Sequence, residues 1–223
     1  MKEEEKKLTH TLEDIKQMME RSSRFISLSG LSGIAAGCCA LAGAYFAHIS
    51  LATYAISSGS GTPYLQRDEH NQIGIDKYTS GELFLIAVTT FFTSLLLAFF
   101  FTYLRSKKKN IPVWGTAARR LMINVTIPLI VGGIFILKMV EAGAYDFVAP
   151  GCLIFYGLSL LNASKYTLKE IQYLGYIQMV LGILNLWFSH YSLFFWAFGF
   201  GVMHIIYGTV MWWKYERTAA QND

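Results

Sequence analysis

The chain has 223 residues, of which 53% are hydrophobic and only 15% are charged, and its net charge is +4. Soluble domains carry about 25% charged residues, so the composition excludes an ordinary soluble domain. The uncharged runs reach the ~20 residues needed to cross a bilayer. Basic residues lie at the ends of these runs, as membrane topology requires, so we expect no nucleic-acid partner. The composition predicts an all-α, polytopic membrane protein in contact with the lipid bilayer.

Residues 1–24 precede the first apolar run and are rich in charge. Within them, Leu8, Leu12, Ile15 and Met19 recur at helical spacing. This pattern predicts an N-terminal amphipathic, interfacial helix on the cytoplasmic surface of the membrane. Two interpretations stay open: a lead-in segment without a partner, or a docking helix for a cytoplasmic protein.

Residues 25–104 are predicted to form a first two-helix hairpin, with spans at 27–49 and 83–104. A long outer loop at 50–81 joins the spans and contains a helix-breaking SSGSG run. The first span carries small residues at four-residue spacing, which favours the close approach of another helix. These residues are Ser29, Gly33 and Gly37.

The cytoplasmic loop at 105–120 is strongly basic, and Lys107, Lys108 and Lys109 are adjacent in it. Such a cluster can bind anionic lipid headgroups, but it also acts as a topology signal, which is the interpretation we favour. Of the 19 lysines and arginines, 16 lie in this loop, in the two terminal segments and in the loop at 164–170. The other three lie in the alternating segments. This asymmetry predicts six spans with both termini in the cytoplasm.

Residues 121–213 are predicted to form a four-helix membrane module of two hairpins, followed by a cytoplasmic tail at 214–223. The predicted spans lie at 121–140, 147–163, 171–188 and 193–213. Glycine spacings recur between the two hairpins, so a duplicated repeat in parallel orientation is a further hypothesis.

An outer charged cluster is predicted at the end of the third span. Lys138 and Glu141 lie one helical turn apart, and Asp146 follows closely. The default interpretation is a hydrated ion pair at the membrane edge, and the alternative is the wall of an outer vestibule.

Two stripes of small and polar residues mark the last predicted hairpin. The first arm carries Gly175, Gln178, Gly182 and Asn185, and the second carries Ala197, Gly201, His204 and Gly208. Folding the hairpin at its turn places Gln178 level with His204. Because polar groups at mid-membrane depth are costly unless paired, we expect the two glycine-lined sides to face each other. The imidazole and the carboxamide would then satisfy one another.

Gln178, Asn185 and His204 are therefore the candidate polar core or solute site. In the structural interpretation, these residues join the two helices by interhelical hydrogen bonds. In the functional interpretation, they form a proton-responsive or solute-contacting site, because histidine titrates near neutral pH. The flanking glycines favour the structural interpretation, since they predict close contact rather than a cavity.

We predict no cofactor, no metal site and no catalytic residue. His48 and His190 lie near the outer edge, so neither is level with His204 for haem ligation. The three cysteines lack zinc spacing, and no nucleophile with a base or pair of carboxylates falls within the apolar runs.

Three stretches carry a resemblance to a known group of proteins: FISLSGLSG at 25–33, LIFYGLSLLNASKY at 153–166 and FWAFGFGVMHIIYG at 195–208. With them, the chain resembles an uncharacterised family of six-span bacterial integral membrane proteins, over most of its length. The family has no assigned activity, so the resemblance implies a bacterial inner-membrane location and carries over no site residue.

The sequence favours a non-enzymatic regulatory or accessory membrane component that engages a partner through residues 1–24. The alternative is a small-solute or ion permeation protein with a polar site at Gln178 and His204. An intramembrane enzyme is the third hypothesis, and it lacks a nucleophile or metal set.

Overall fold

The computed structural model describes residues 29–57, 77–108 and 115–217, and all contacts given below are between these residues. Several predicted features lie outside the described residues. They are the surface helix at 1–24, the middle of the outer loop, Lys109 and the end of the tail.

The described part of the chain is mainly helical and contains no strand. Uncharged runs favour helices in lipid, because a helix satisfies its backbone polar groups internally. The helices are α1 (Gly30–Ser57), α2 (Lys77–Lys108), α3 (Thr116–Glu141), α4 (Val148–Ser164), α5 (Glu170–Trp187), α6 (Ser192–Trp196) and α7 (Met203–Trp212). The π-helical segment Ala197–Val202 joins α6 to α7, and a π-helical turn, Trp213–Arg217, follows. We call the continuous segment 192–217 the last rod.

Among the described residues, five helices are long and apolar enough to cross a membrane, as the composition predicts for a multi-span helical protein. These are Gly30–Ser57, Thr79–Lys108, Thr116–Glu141, Tyr145–Ser164 and Ser189–Tyr215. The predicted fifth span, α5, is not among them. Its 18 residues include Glu170, Gln172, Gln178 and Asn185, and these polar side chains lower its mean hydropathy.

The outer loop predicted at 50–81 is shorter than expected, because helix continues into it from both sides. α1 extends through Ser57, and α2 begins at Lys77. The hydroxyl of Ser50 donates a hydrogen bond of 2.8 Å to Glu82 Oε2, which joins the two helices beyond the predicted ends. Helix breakers first occur at 57–61, so helical geometry persists up to that run.

The helices pack as two groups that the last rod connects. In one group, α1 lies between α2 and the last rod, mainly α7. In the other group, α4 lies between α3 and α5. α6 packs against α4 and thereby joins the groups.

Glycines create the closest helix approaches. A Cβ atom added to Gly208 would lie 2.6 Å from the Gly30 carbonyl oxygen, and one added to Gly37 would lie 2.7 Å from that of Gly201. Likewise, a Cβ atom on Gly157 of α4 would lie 2.8 Å from the Gly175 carbonyl oxygen of α5. Only residues without a side chain fit at such distances, so these positions fix which helices pack together.

The prediction that the two glycine-lined sides of the last hairpin face each other is wrong. Gly175 and Gly182 pack against α4, whereas Gly201 and Gly208 pack against α1. Each stripe meets a helix that carries glycines or a helix-terminal proline of its own, so both backbones approach closely. α5 and the last rod consequently have only limited contact with each other, unlike the closely packed α3 and α4.

The two ends of the bundle differ in packing. At the end where α2 finishes, which we call the Arg105 end, Leu121, Ala163 and Ile171 form a buried core with Tyr207 against it. At the opposite end, which we call the Glu82 end, a cleft lies between the helices. α2 packs against α1 and leaves every residue of its most apolar 18-residue window unburied.

Candidate functional site

A single backbone carbonyl organises the polar interior of the protein. Gly199 lies in the π-helical segment of the last rod, and its carbonyl oxygen accepts two side-chain hydrogen bonds. Gln178 Nε2 of α5 donates to it over 2.7 Å, and His204 Nδ1 lies 3.1 Å from it. π-helical turns disturb the regular backbone bonding and occur often at functional sites. Here the turn offers its carbonyl to side chains.

The partners of His204 assign its tautomer. A carbonyl oxygen only accepts, so the nitrogen beside Gly199, Nδ1, carries the proton. Nε2 is then the acceptor, and the hydroxyl of Tyr156 on α4 donates to it over 2.7 Å. His204 is 6% exposed, and in this arrangement both ring nitrogens of a neutral imidazole are satisfied.

The carboxamide of Gln178 is fully buried, and Gly199 makes room for it. A Cβ atom at position 199 would lie 2.6 Å from Gln178 Oε1, so a larger residue there would displace the amide. Among the described residues, Oε1 itself has no hydrogen-bond partner. A buried acceptor without a donor costs about 1–3 kcal/mol, so this oxygen is the weak point of the cluster.

Gln178 and His204 therefore meet on a shared acceptor and do not bond to each other as the sequence predicted. The partner of the imidazole is Tyr156, which sequence reasoning missed. The sequence could have indicated Tyr156, because a tyrosine hydroxyl in the middle of an apolar helix needs a hydrogen-bond partner. The ring of Phe200 packs 5.1 Å from that of Tyr156 and stacks 6.0 Å from the imidazole, between ring centroids. We call Tyr156, Gln178, Gly199 and His204 the carbonyl cluster.

Asn185 does not join the carbonyl cluster. It lies seven residues beyond Gln178 on α5, about 10 Å nearer the Glu82 end. Its Oδ1 accepts a hydrogen bond of 3.1 Å from Ser192 Oγ, which links the end of α5 to the start of the last rod. Asn185 is fully buried, and its Nδ2 has no partner among the described residues. The candidate site predicted from sequence thus divides into two separate polar contacts.

The predicted outer charged cluster is a surface feature. Lys138 Nζ and Glu141 Oε2 lie 3.0 Å apart, with side chains 67% and 72% exposed. Asp146 lies in the short 3₁₀ turn Tyr145–Phe147 that precedes α4. An exposed pair of this kind contributes about 0–1 kcal/mol, which fits the hydrated edge pair rather than a vestibule wall.

A second polar contact that sequence reasoning missed closes the Arg105 end. Glu170, the first residue of α5, accepts hydrogen bonds from Lys214 Nζ and from the hydroxyl of Tyr215, the latter at 2.8 Å. Burial raises the pKa of the Glu170 carboxyl, but the hydrogen bonds from Lys214, its own backbone and Tyr215 outweigh burial and lower the pKa below its usual value. This contact fixes the last rod to α5.

Metal ligation finds no support among the described residues, where no group of three or more His, Cys, Asp or Glu side chains converges. The carbonyl cluster can exchange hydrogen bonds, but each of its imidazole nitrogens is already engaged. Its chemistry is therefore that of an interhelical hydrogen-bond network.

No protein-family model, no curated protein and no solved structure matches the chain. The family resemblance described above stays a prediction, and function is argued from the geometry.

Proposed function

We propose that this protein is a non-enzymatic regulatory or accessory component of a bacterial inner membrane. The observation behind the proposal is that its buried polar groups form hydrogen bonds with one another across helices. Gln178 and His204 converge on the Gly199 carbonyl oxygen, and Tyr156 occupies the remaining imidazole nitrogen. Polar groups bonded in this way hold α4, α5 and the last rod together, as interhelical hydrogen bonds do in membranes.

In this proposal α5 also crosses the membrane, which brings the number of crossings from five to six. Its polar residues Gln178 and Asn185 are fully buried by neighbouring helices, so lipid does not meet them. Its exposed side chains are apolar or aromatic. They include Tyr173, Tyr176, Ile177, Val180, Ile183 and Leu184. A helix that buries its polar side chains against other helices and exposes apolar ones to lipid can cross a bilayer even when its mean hydropathy is modest.

The proposed orientation places the Arg105 end and both termini in the cytoplasm. Lys107, Lys108, Arg119 and Arg120 are exposed at that end, which agrees with the positive-inside rule. The same side chains offer contacts to anionic lipid headgroups.

Reporter fusions test the orientation. A fluorescent protein attached after Asp223 should fluoresce, and alkaline phosphatase inserted within 58–76 should be active outside the cytoplasm. A fluorescent insertion at 58–76, or an active phosphatase at the carboxyl terminus, would refute the proposed topology.

A regulatory role requires a partner, and two surfaces suit one. The first is the predicted amphipathic segment 1–24. The second is α2, which exposes Phe84, Phe91, Phe92, Phe99 and Phe100. Aromatic side chains supply large contact areas at low entropic cost, as interfaces prefer.

Affinity purification from native membranes tests the partner hypothesis. The full chain, a chain lacking 1–24, and a Leu12→Ser/Ile15→Ser variant that keeps length and charge should be compared. We expect at least one partner to be lost from both altered chains. Identical partner sets in all three would count against docking through this segment.

A permeation protein is the second candidate, and the buried Gln178 Oε1 is the observation in its favour. A water-filled path would give this oxygen the donor that it lacks among the described residues. Solute and proton flux into proteoliposomes would distinguish the candidates. Flux that Gln178→Ala abolishes supports permeation, whereas vesicles as tight as protein-free ones support the structural role.

A further inference from the structure

A cleft of about 290 Å³ opens at the Glu82 end of the bundle. α1, α2, α3, α4 and α6 all contribute to its walls. Small side chains create the space, principally Gly43, Ala44, Ala47, Ala87 and Ala149. A volume of this size is at the lower limit of small-ligand sites, which hold about 300–1,000 Å³. It suits a slender ligand rather than a bulky one.

The walls change in polarity along the depth of the membrane. Among the polar lining residues, Ser80, Tyr145 and Ser192 lie near the starts of their helical elements, at the Glu82 end of the cleft. The walls below them are almost entirely hydrocarbon. Deeper still, the side chain of Thr90 packs against Gly43, where α1 and α2 meet and close the inner end. A ligand that matches these walls has a polar end and a hydrocarbon body.

The length of the cleft matches one leaflet. Ser80 and Thr90 bound it along α2 and are ten residues apart, which is about 15 Å of helix. The hydrocarbon core of a bilayer is about 30 Å thick, so the cleft covers half of it.

The cleft is lined by both α2 and α3, which contribute to it from two sides. α2 packs against α1, and α3 packs against α4, without extensive contact between α2 and α3. A chain of a lipid can therefore enter sideways without leaving the membrane.

We propose that this cleft holds one acyl chain of a phospholipid from the leaflet at the Glu82 end, with the ester region beside Ser80, Tyr145 and Ser192. The hydrophobic effect does not drive this binding, because the chain is already in hydrocarbon. The binding is favoured by van der Waals contacts between the acyl chain and the walls of the cleft, which would otherwise have no neighbouring atoms on that side. The occupant is therefore bound weakly but is present in large excess as the solvent.

Photo-crosslinking in vesicles tests the proposal. The full chain is reconstituted in phosphatidylethanolamine and phosphatidylglycerol with a small fraction of phosphatidylcholine that carries a diazirine midway along one acyl chain. Adducts are mapped by peptide mass spectrometry. We expect lipid adducts on the α4 peptide that contains the cleft residue Cys152.

Ala87→Phe fills the cleft from α2, and Leu96→Phe is the matched control, since Leu96 lies on the same helix and is 69% exposed. The added ring occupies the space that the acyl chain would fill, so Ala87→Phe should lower the Cys152-peptide adducts clearly below the wild-type level. Leu96→Phe should leave them unchanged. Ala47→Leu fills the cleft from α1 with a smaller addition and should lower them as well.

Equal labelling of the Ala87→Phe and Leu96→Phe proteins would overturn the proposal, as would a wild-type Cys152 peptide without lipid adducts. Size-exclusion chromatography in mild detergent identifies any variant that fails to fold, and in that case the comparison of Ala47→Leu with Leu96→Phe decides.

Discussion

At the scale of single residues, the hydroxyl of Tyr156 completes the bonding of the buried imidazole. Removing it leaves His204 Nε2 without a donor inside the membrane. Interhelical hydrogen bonds in membranes average about 0.6 kcal/mol and reach about 1.7 kcal/mol. We expect Tyr156→Phe to lower the free energy of unfolding by an amount near the upper value, because the imidazole nitrogen stays buried.

Denaturation in mixed micelles measures this difference. Tyr45→Phe is the control, because that side chain is 64% exposed and should change stability by less than about 0.5 kcal/mol. Equal effects of the two substitutions would contradict the role of Tyr156.

Gly199 provides the space for the Gln178 carboxamide, and the methyl group of alanine would occupy it. Overpacking of this kind costs about 1–3 kcal/mol, so Gly199→Ala should destabilise the protein. Gly133→Ala is the matched control, since nothing lies within 4 Å of a Cβ atom there and alanine favours helix by about 1 kcal/mol. The cost of Gly199→Ala should shrink in a Gln178→Ala background, and an unchanged cost would argue against the contact.

The sequence predicted that Gln178 and His204 are buried near each other, but not what joins them. Polar side chains in an apolar helix must find partners, which is why their burial was predictable. Their acceptor is a backbone carbonyl in a π-helical segment. No side-chain pattern in the sequence predicts where the backbone changes from α-helical to π-helical hydrogen bonding. Tyr156 comes from a third helix, so its approach depends on how α4 packs.

At the scale of the elements, the glycine stripes were visible in the sequence, but their partners were not. Several helices carry such stripes, and small residues specify close approach without specifying a neighbour. The structure pairs Gly33 of α1 with Gly208 of α7, where a Cβ atom would lie 3.1 Å from the facing Cα. It pairs Gly182 of α5 with α4 instead of with Gly201.

Disulfide trapping tests this pairing in a background without the native cysteines. Disulfides form only between close Cβ atoms, about 3.5–4.5 Å apart. Gly175→Cys/Leu160→Cys should therefore crosslink within the monomer, because a Cβ atom at position 175 would lie 3.2 Å from that of Leu160. Gly182→Cys/Ala197→Cys, which the packing predicted from sequence would bring together, should not. The reverse result would restore the packing that the sequence predicted.

The contact between Glu170 and the last rod should make stability depend on pH. The pKa of Glu170 is lowered in the folded protein, so between the folded pKa and the unfolded value of about 4.3 the unfolded state binds more protons. The stabilisation is present above that unfolded value and is lost as pH falls through the folded pKa.

Glu170→Gln should therefore lower stability at neutral pH and have progressively less effect under acidic conditions. Denaturation profiles of both proteins at several pH values provide the measurement, with the exposed Glu141→Gln as control. A difference between wild type and Glu170→Gln that grows on acidification would contradict the lowered pKa.

At the scale of the whole molecule, the described residues pack into a buried core at the Arg105 end and leave a cleft at the Glu82 end. The buried core around Leu121 and the Glu170 contact secure the first end. The second end holds an apolar cleft between the helices. Hydropathy along the chain predicted six apolar crossings; five of them are long and apolar enough among the described residues, and the crossing predicted at α5 falls short because of its polar side chains. It could not predict the cleft, which depends on how small side chains from several helices combine in space.

In the carbonyl cluster, His204 is a neutral imidazole with both ring nitrogens bonded and its proton on Nδ1. Nitrogen-15 NMR of the ring nitrogens in reconstituted protein tests this most directly, with His204→Asn identifying the signals. We expect a protonated Nδ1 and an unprotonated Nε2 whose chemical shift changes in Tyr156→Phe. A proton on Nε2, or an Nε2 shift indifferent to Tyr156→Phe, would contradict it.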